Sequence, residues 1–71
     1  RWECINESFG KTDIIIAHDT EAPTYNWNLV KLPFDYVWID VKDYIPWTSV
    51  ITRNKAIVEL IQKSFFDTSL R

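Results

Sequence analysis

The stretch YNWNLVKLPFDYVWIDVKDYIPW, from Tyr25 to Trp47, carries the clearest structural pattern of the chain. It contains all three Tyr residues and three of the four Trp residues of the chain. Within it, residues 36–43 alternate along the sequence as the side chains of a half-buried strand do. One face of that strand carries Val37, Ile39 and Val41. The stretch therefore predicts a strand with one face committed to an apolar core.

The segments on either side of this stretch predict further strands. Alternation and β-branched residues predict strands at residues 2–7, 12–18, 25–32 and 47–52, in addition to 36–43. Gly10, the only glycine, is placed to supply a positive φ in a first hairpin loop. Residues 19–24 and 33–35 have the composition of turns, and Pro46 ends the fourth strand because it lacks a backbone donor. The strands are thus expected to be connected by hairpins.

Residues 54–66 change to helical spacing. Ile57, Ile61 and Phe65 form an apolar stripe, and charged residues recur every four positions on another side of the helix. Thr52 or Asn54 is expected to cap its start. We predict a single α+β domain over residues 1–71, an antiparallel sheet of four or five hairpin-connected strands. One C-terminal amphipathic helix packs on the face that bears Val37, Ile39 and Val41.

Composition limits the classes of function. The net charge of −2 provides no general attraction to nucleic-acid phosphate. A single cysteine, Cys4, excludes an internal disulfide, and no apolar run is long enough to span a bilayer. We expect a soluble, cytoplasmic protein without membrane insertion. The abundance of Ile over Ala and Gly is a bias typical of AT-rich coding, as in many phage genomes.

No set of residues predicts catalysis, and we expect no enzyme activity, no cofactor and no metal site. His18 with Asp19 and Glu21 lacks the further ligands that a metal centre needs. Gly10, Lys11 and Thr12 resemble the end of a phosphate-binding loop, but a strand rather than a helix follows them. Cys4 is interpreted as a small apolar residue of the core. Asp35, Asp40 and Asp43 are close enough in sequence to suggest a divalent cation, but a solvated strand edge explains them better.

The aromatic residues give the stronger signal. If the helix covers one sheet face, the opposite face still presents several aromatic side chains, which is more apolar surface than a monomer usually exposes. We therefore predict a non-enzymatic protein-interaction module that dimerises or binds a larger protein, which it would inhibit, through this face. The predicted partner-binding residues are Tyr25, Trp27, Tyr36 and Trp38. A strongly curled sheet, or the 19–24 loop folded over the face, is the alternative explanation.

Two other functions are kept as alternatives. Because the chain begins at Arg1 and not at Met, it is consistent with a structural or accessory domain processed from a longer chain or belonging to a larger complex. Sheet aromatics also stack on the bases of single-stranded nucleic acid in some domains. The acidic residues spread over the strands argue against that second alternative.

Overall fold

A computed structural model describes residues 1–71 and places helices on both faces of a four-stranded antiparallel sheet. The predicted α+β fold is confirmed. The strands follow one another across the sheet in the order β1-β3-β2-β4. In chain order the elements are α1 (Trp2–Ser8), β1 (Ile14–His18), two 3₁₀ turns (Pro23–Tyr25 and Trp27–Leu29), β2 (Val37–Val41), β3 (Thr48–Thr52), α2 (Lys55–Ser64) and β4 (Thr68–Leu70).

The central hairpin and the C-terminal helix are where the sequence pattern predicts them. β2 and β3 pair in antiparallel register, with Ile39 opposite Val50. The side chain of Asn54 accepts a hydrogen bond of 3.0 Å from the backbone N–H of Ala56, so Asn54 is the cap of α2. α2 contacts β3 on the face that bears Ile39, as expected.

The first predicted strand, residues 2–7, is wrong, because this segment forms helix α1. Trp2, Ile5 and Phe9 are spaced three and four residues apart, which is also the spacing of one helix face. Ile5 is buried in the core, and Phe9 packs against the same cluster. A seven-residue segment satisfies the strand period and the helix period equally well, and the burial of this stripe favours the helix.

The predicted strand at residues 25–32 is also wrong. Pro23 begins one 3₁₀ turn, and Asn26 then adopts a left-handed conformation at φ 54° that a strand does not contain. A second 3₁₀ turn follows at Trp27–Leu29. The segment therefore folds over the sheet and adds no strand to it.

The connections between strands differ from a series of hairpins. Only β2 and β3 form a hairpin, whereas β1 pairs with β3 and β4 pairs with β2. Gly10 has the predicted positive φ, at 82°, but it lies between α1 and β1 instead of in a hairpin loop. β4, which begins four residues after the end of α2, has no counterpart in the sequence prediction.

The two sheet faces are defined by the pairing register. We call them the Trp38 face and the Ile39 face after adjacent residues of β2. The Trp38 face meets α1 and the 3₁₀ turns and contains the principal core. That core comprises Ile5, Ala17, Trp27, Tyr36, Trp38 and Ile51. The Ile39 face meets α2 alone, and none of the residues of α2 is fully buried.

A first prediction concerns the cap of α2. Replacing Asn54 with Ala should lower the free energy of unfolding by about 1 kcal/mol, because the Ala56 N–H loses its acceptor. Chemical denaturation would measure the change, with the exposed mid-helix substitution Gln62→Ala as a matched control and Asn54→Asp as a variant that keeps an acceptor. Equal stabilities of Asn54→Ala and Gln62→Ala would contradict the assignment of the cap.

Candidate interaction site

The aromatic face predicted to contact a partner is not open. Trp27, Tyr36 and Trp38 are 7%, 4% and 2% exposed, and Tyr25 is half-buried against the same core. The expectation that these side chains form an exposed surface is therefore wrong. Its physical cause is the cover that α1 and residues 19–36 place over the Trp38 face.

The polar atoms of these aromatic side chains are bonded within the chain. Tyr36 donates its hydroxyl to the carbonyl of Thr12 and accepts from the N–H of Gly10 at 3.0 Å. The indole N–H of Trp27 donates to the carbonyl of Asp19 at 3.2 Å. Buried Tyr and Trp residues normally find such partners. These groups have no donor left for a ligand, which identifies them as core residues.

A buried carboxylate completes the Trp38 face. Asp40 is 3% exposed and accepts hydrogen bonds from Trp38 Nε1 at 2.9 Å, from Arg71 Nε at 2.8 Å and from the hydroxyl of Ser49. Thr20 Oγ1 lies 2.8 Å from Ser49 Oγ and can donate to it. Burial alone would raise the pKa of Asp40, but the bonds from Arg71, Ser49 and Trp38 outweigh it and hold that pKa below its usual value.

Arg71 is held in turn by the same part of the fold. Its Nη2 donates to the carbonyl of Thr20 at 2.8 Å, and its backbone N–H donates to the carbonyl of Trp38 at 2.9 Å. The guanidinium also lies over the Trp38 ring, 4.6 Å from its centroid. This network connects β4 to β2 and to the segment that covers the core. Its charges are satisfied internally, which indicates a structural role.

The open apolar surface lies on the Ile39 face. A groove of about 240 Å³ separates the C-terminal half of α2 from the sheet and from the loop that joins β2 to β3. We call it the helix-side groove. Its lining residues are Ile16, Val41, Tyr44, Pro46, Thr48, Val50, Ile61 and Phe65. Ile16 is 68% exposed and Tyr44 is 78% exposed, so large apolar side chains border it.

Further apolar residues extend this surface beyond the groove. Phe66 shares a second shallow depression with Tyr44, and its side chain is fully exposed. Ile45, in the loop between β2 and β3, is also exposed. Soluble monomers seldom leave so many large apolar side chains together in water. This part of the Ile39 face is the candidate interaction site.

The titratable residues singled out in the sequence do not assemble into a catalytic arrangement. Asp19 forms an ion pair with Arg1 at 3.1 Å, and Glu21 accepts a hydrogen bond of 2.9 Å from the N–H of Trp47. Cys4 and His18 are both exposed and border a groove beside β1. No group of three or more His, Cys, Asp or Glu side chains is arranged to hold a metal ion.

The other sequence candidates have structural partners. Asp35 faces Arg53 at 3.9 Å, and Asp43 accepts from the N–H groups of Phe66 and Asp67 at 2.9 and 2.7 Å. Neither α1 nor α2 combines the length and the apolar character that crossing a bilayer requires.

The sequence prediction missed the residues of the helix-side groove. The apolar run of Tyr44, Ile45 and Pro46 between two predicted strands is a signal that turn chemistry does not explain. The adjacent pair Phe65 and Phe66 is a second signal, because both side chains cannot point into the sheet from one helix end. Both signals indicate apolar surface at the same end of the sheet.

The geometry defines the chain as a small α+β domain with one covered sheet face and one partly open face. Comparison with known protein families, with curated proteins and with solved structures finds no match for this chain. Its function must therefore be inferred from its own surface.

Proposed function

We propose that the chain is a non-enzymatic protein-interaction module that binds an amphipathic helix of a partner protein on the Ile39 face. The observation that carries this proposal is the apolar helix-side groove, bordered by the exposed side chains of Ile16 and Tyr44. An amphipathic helix recognises such a groove by placing its apolar stripe in it.

The width of the sheet supports a helix as the missing cover. Neighbouring strands lie about 4.8 Å apart, so four strands span about 19 Å. One helix with its side chains is about 10 to 12 Å across and covers about two strands. α2 packs on β3 and leaves Ile16 of β1 and Leu70 of β4 exposed at the two edges. A second helix beside α2, over β1, would complete the layer.

The charges around the groove favour recognition by apolar contact. The nearest charged residues, Lys42 and Asp43, border the adjoining depression. The Lys42 Nζ lies 4.5 Å from the centroid of the Trp47 ring, and Asp43 is bonded to backbone N–H groups of its own chain. Rim charges that are already paired add little to affinity. The occupant is therefore expected to present an apolar stripe with mixed polar flanks.

The same observations weigh on the alternatives. Single-stranded nucleic-acid binding requires exposed sheet aromatics that stack on bases. Trp27, Tyr36 and Trp38 are buried, which weighs against this alternative. An accessory domain of a larger complex would use the same groove, with the helix supplied by a neighbouring subunit or segment. Inhibition of the partner stays a prediction that follows if the bound helix belongs to a functional site of that partner.

The test is a variant-dependent binding measurement. Partners captured from the native source would be purified, and their affinities measured for the wild type and for Tyr44→Ser and Phe66→Ser. Because Tyr44 lines the groove and is largely exposed, we expect about tenfold weaker binding for Tyr44→Ser. Phe66 borders the adjoining depression that it shares with Tyr44, so Phe66→Ser should weaken binding by a smaller factor. Hydrogen exchange on the complex should show protection in a helix of the partner and in residues around the groove.

Phe34→Ser provides the matched control. Phe34 is as exposed as Phe66 but precedes β2, at the opposite end of the sheet from the groove. Its removal should leave both fold and affinity unchanged. Equal losses in Phe34→Ser and Tyr44→Ser, or protection confined to a loop of the partner, would contradict the proposal.

A further inference from the structure

The outer edge of β1 is incompletely protected. β1 is an edge strand that pairs only with β3. The Asp13 carbonyl accepts a hydrogen bond of 3.3 Å from the Arg53 N–H, and the Asp19 N–H donates to the Trp47 carbonyl at 2.9 Å, so both groups point toward β3. In an antiparallel ladder, residues whose backbone groups point toward the partner strand alternate with residues whose groups point away from it. The backbone groups of Ile14, Ile16 and His18 therefore point away from the sheet.

Two side chains protect the ends of this edge. Thr12 Oγ1 lies 3.4 Å from the N–H of Ile14 and 3.1 Å from its carbonyl, and Arg1 Nη1 donates to the carbonyl of His18 at 3.3 Å. Ile16, at the centre, has neither protection. β1 also lacks the Lys, Pro or bulge with which proteins usually block strand addition. Its middle is thus open to another strand.

A second apolar groove lies next to this edge. Helix α1 and β1 enclose a space of about 440 Å³ whose walls include Ile5, Ala17 and Trp27. This β1-edge groove is on the Trp38 face, whereas the exposed side chain of Ile16 is on the Ile39 face. A strand added to β1 must therefore be apolar on both of its faces.

We infer that the added strand is β1 of a second copy, which gives an antiparallel dimer centred on Ile16. β1 itself is apolar on both faces through its Ile-Ile-Ile-Ala sequence. About a two-fold axis at Ile16, the two copies exchange backbone hydrogen bonds at Ile16. Ile14 of each copy then lies opposite His18 of the other, where Thr12 and Arg1 release the bonds that they make to this edge in the monomer. Ile15 and Ala17 of each copy then face the β1-edge groove of the other.

The charges at the strand ends are compatible with this register. Asp13 of one copy and Asp19 of the other approach one another, but each already forms an ion pair with an arginine of its own chain. The like charges that meet at the strand ends are therefore compensated.

The size of the contact sets the expected affinity. A five-residue strand and the rim of one groove bury less than the about 800 Å² per partner of a standard interface. We therefore expect dissociation in the micromolar range, about 10 to 100 μM. This dimer rests on the proposed role of the chain as an interaction module. It forms through the outer edge of β1 and shares Ile16 with the helix-side groove, whereas Tyr44 belongs to the groove alone, so Tyr44→Ser distinguishes a failure of the groove from a failure of the dimer.

The test is sedimentation of the full chain from about 5 to 500 μM, a range chosen to bracket that affinity. The wild type should pass from monomer to dimer, and Ile16→Lys, which places a charge at the two-fold axis, should weaken the dimer at least tenfold. Leu70→Lys is the matched control, because Leu70 is an exposed apolar residue on the same face of the other edge strand. It should dimerise like the wild type.

A cross-link tests the register independently. Across a hydrogen-bonded antiparallel pair the Cα atoms lie about 5.5 Å apart, within the range of a disulfide. Oxidation of Ile16→Cys in a Cys4→Ser background should give a covalent dimer, and Leu70→Cys in that background should not. A wild type that stays monomeric throughout the range, or a dimer that Ile16→Lys leaves intact, would overturn the inference. A dimer abolished only by Tyr44→Ser would also overturn it and would place self-association in the helix-side groove.

Discussion

Replacing Trp38 with Ala should lower the free energy of unfolding by about 3 to 5 kcal/mol, the cost of truncating a large buried aromatic residue. Trp38 is 2% exposed, and its ring centroid lies 6.0 Å from that of Trp27 in an edge-to-face arrangement. Removing the indole opens a cavity at the centre of the principal core and leaves Asp40 without one of its three donors. Small domains have a total stability of about 5 to 15 kcal/mol. The variant should therefore lose a large part of its stability.

Circular dichroism during thermal and urea denaturation would measure this loss. Trp47→Ala is the matched control, because Trp47 is only half-buried and contacts Lys42 at the surface. We expect the control to lose a smaller part of the stability. Wild-type stability of Trp38→Ala, combined with a loss of partner binding, would contradict the core assignment and restore Trp38 as a contact residue.

The sequence was sufficient to predict elements whose pattern is long or cleanly periodic. β2 follows from the alternation of Val37, Ile39 and Val41, and α2 follows from a stripe that continues for three turns. In both, local pattern and tertiary burial agree, which is the condition under which pattern reasoning succeeds.

The short segments could not be assigned in this way. In α1, seven residues satisfy both a strand and a helix period, and only the burial of Ile5 distinguishes them. At residues 25–32, the left-handed conformation of Asn26 interrupts an apparent alternation. Asn tolerates that conformation and is depleted in strands, so its presence was the available signal.

These two errors account for the misplaced interaction surface. If residues 2–7 and 25–32 are strands, only α2 remains to cover the sheet, and the Trp38 face is expected to be exposed. As a helix and two 3₁₀ turns, the same residues cover that face, and the exposed apolar surface is instead around α2. Which face a short segment covers depends on tertiary contacts that no local pattern encodes.

Replacing Asp40 with Asn should cost about 3 kcal/mol, near the lower limit for breaking a buried ion pair, because the Arg71 side chain is about one-third exposed. Asn keeps the shape and one oxygen, which still accepts from Trp38 and Ser49. Its NH₂ group then faces Arg71 Nε, a second donor. Asp67→Asn, which removes an equal charge from an exposed carboxylate, should change stability by less than about 0.5 kcal/mol.

The pH dependence of unfolding distinguishes the charge of Asp40 from its shape. The pKa of Asp40 is lowered from its ordinary value of 3.8, so the unfolded chain binds the proton more readily than the folded one. The contribution of Asp40 is therefore complete above pH 3.8 and is lost as the pH falls through the lower folded-state pKa. The stability difference between the wild type and Asp40→Asn should be constant at neutral pH and should shrink below that value. A difference that persists undiminished in acid would mean that Asp40 acts through its shape and neutral hydrogen bonds, and that its charge contributes nothing to anchoring β4.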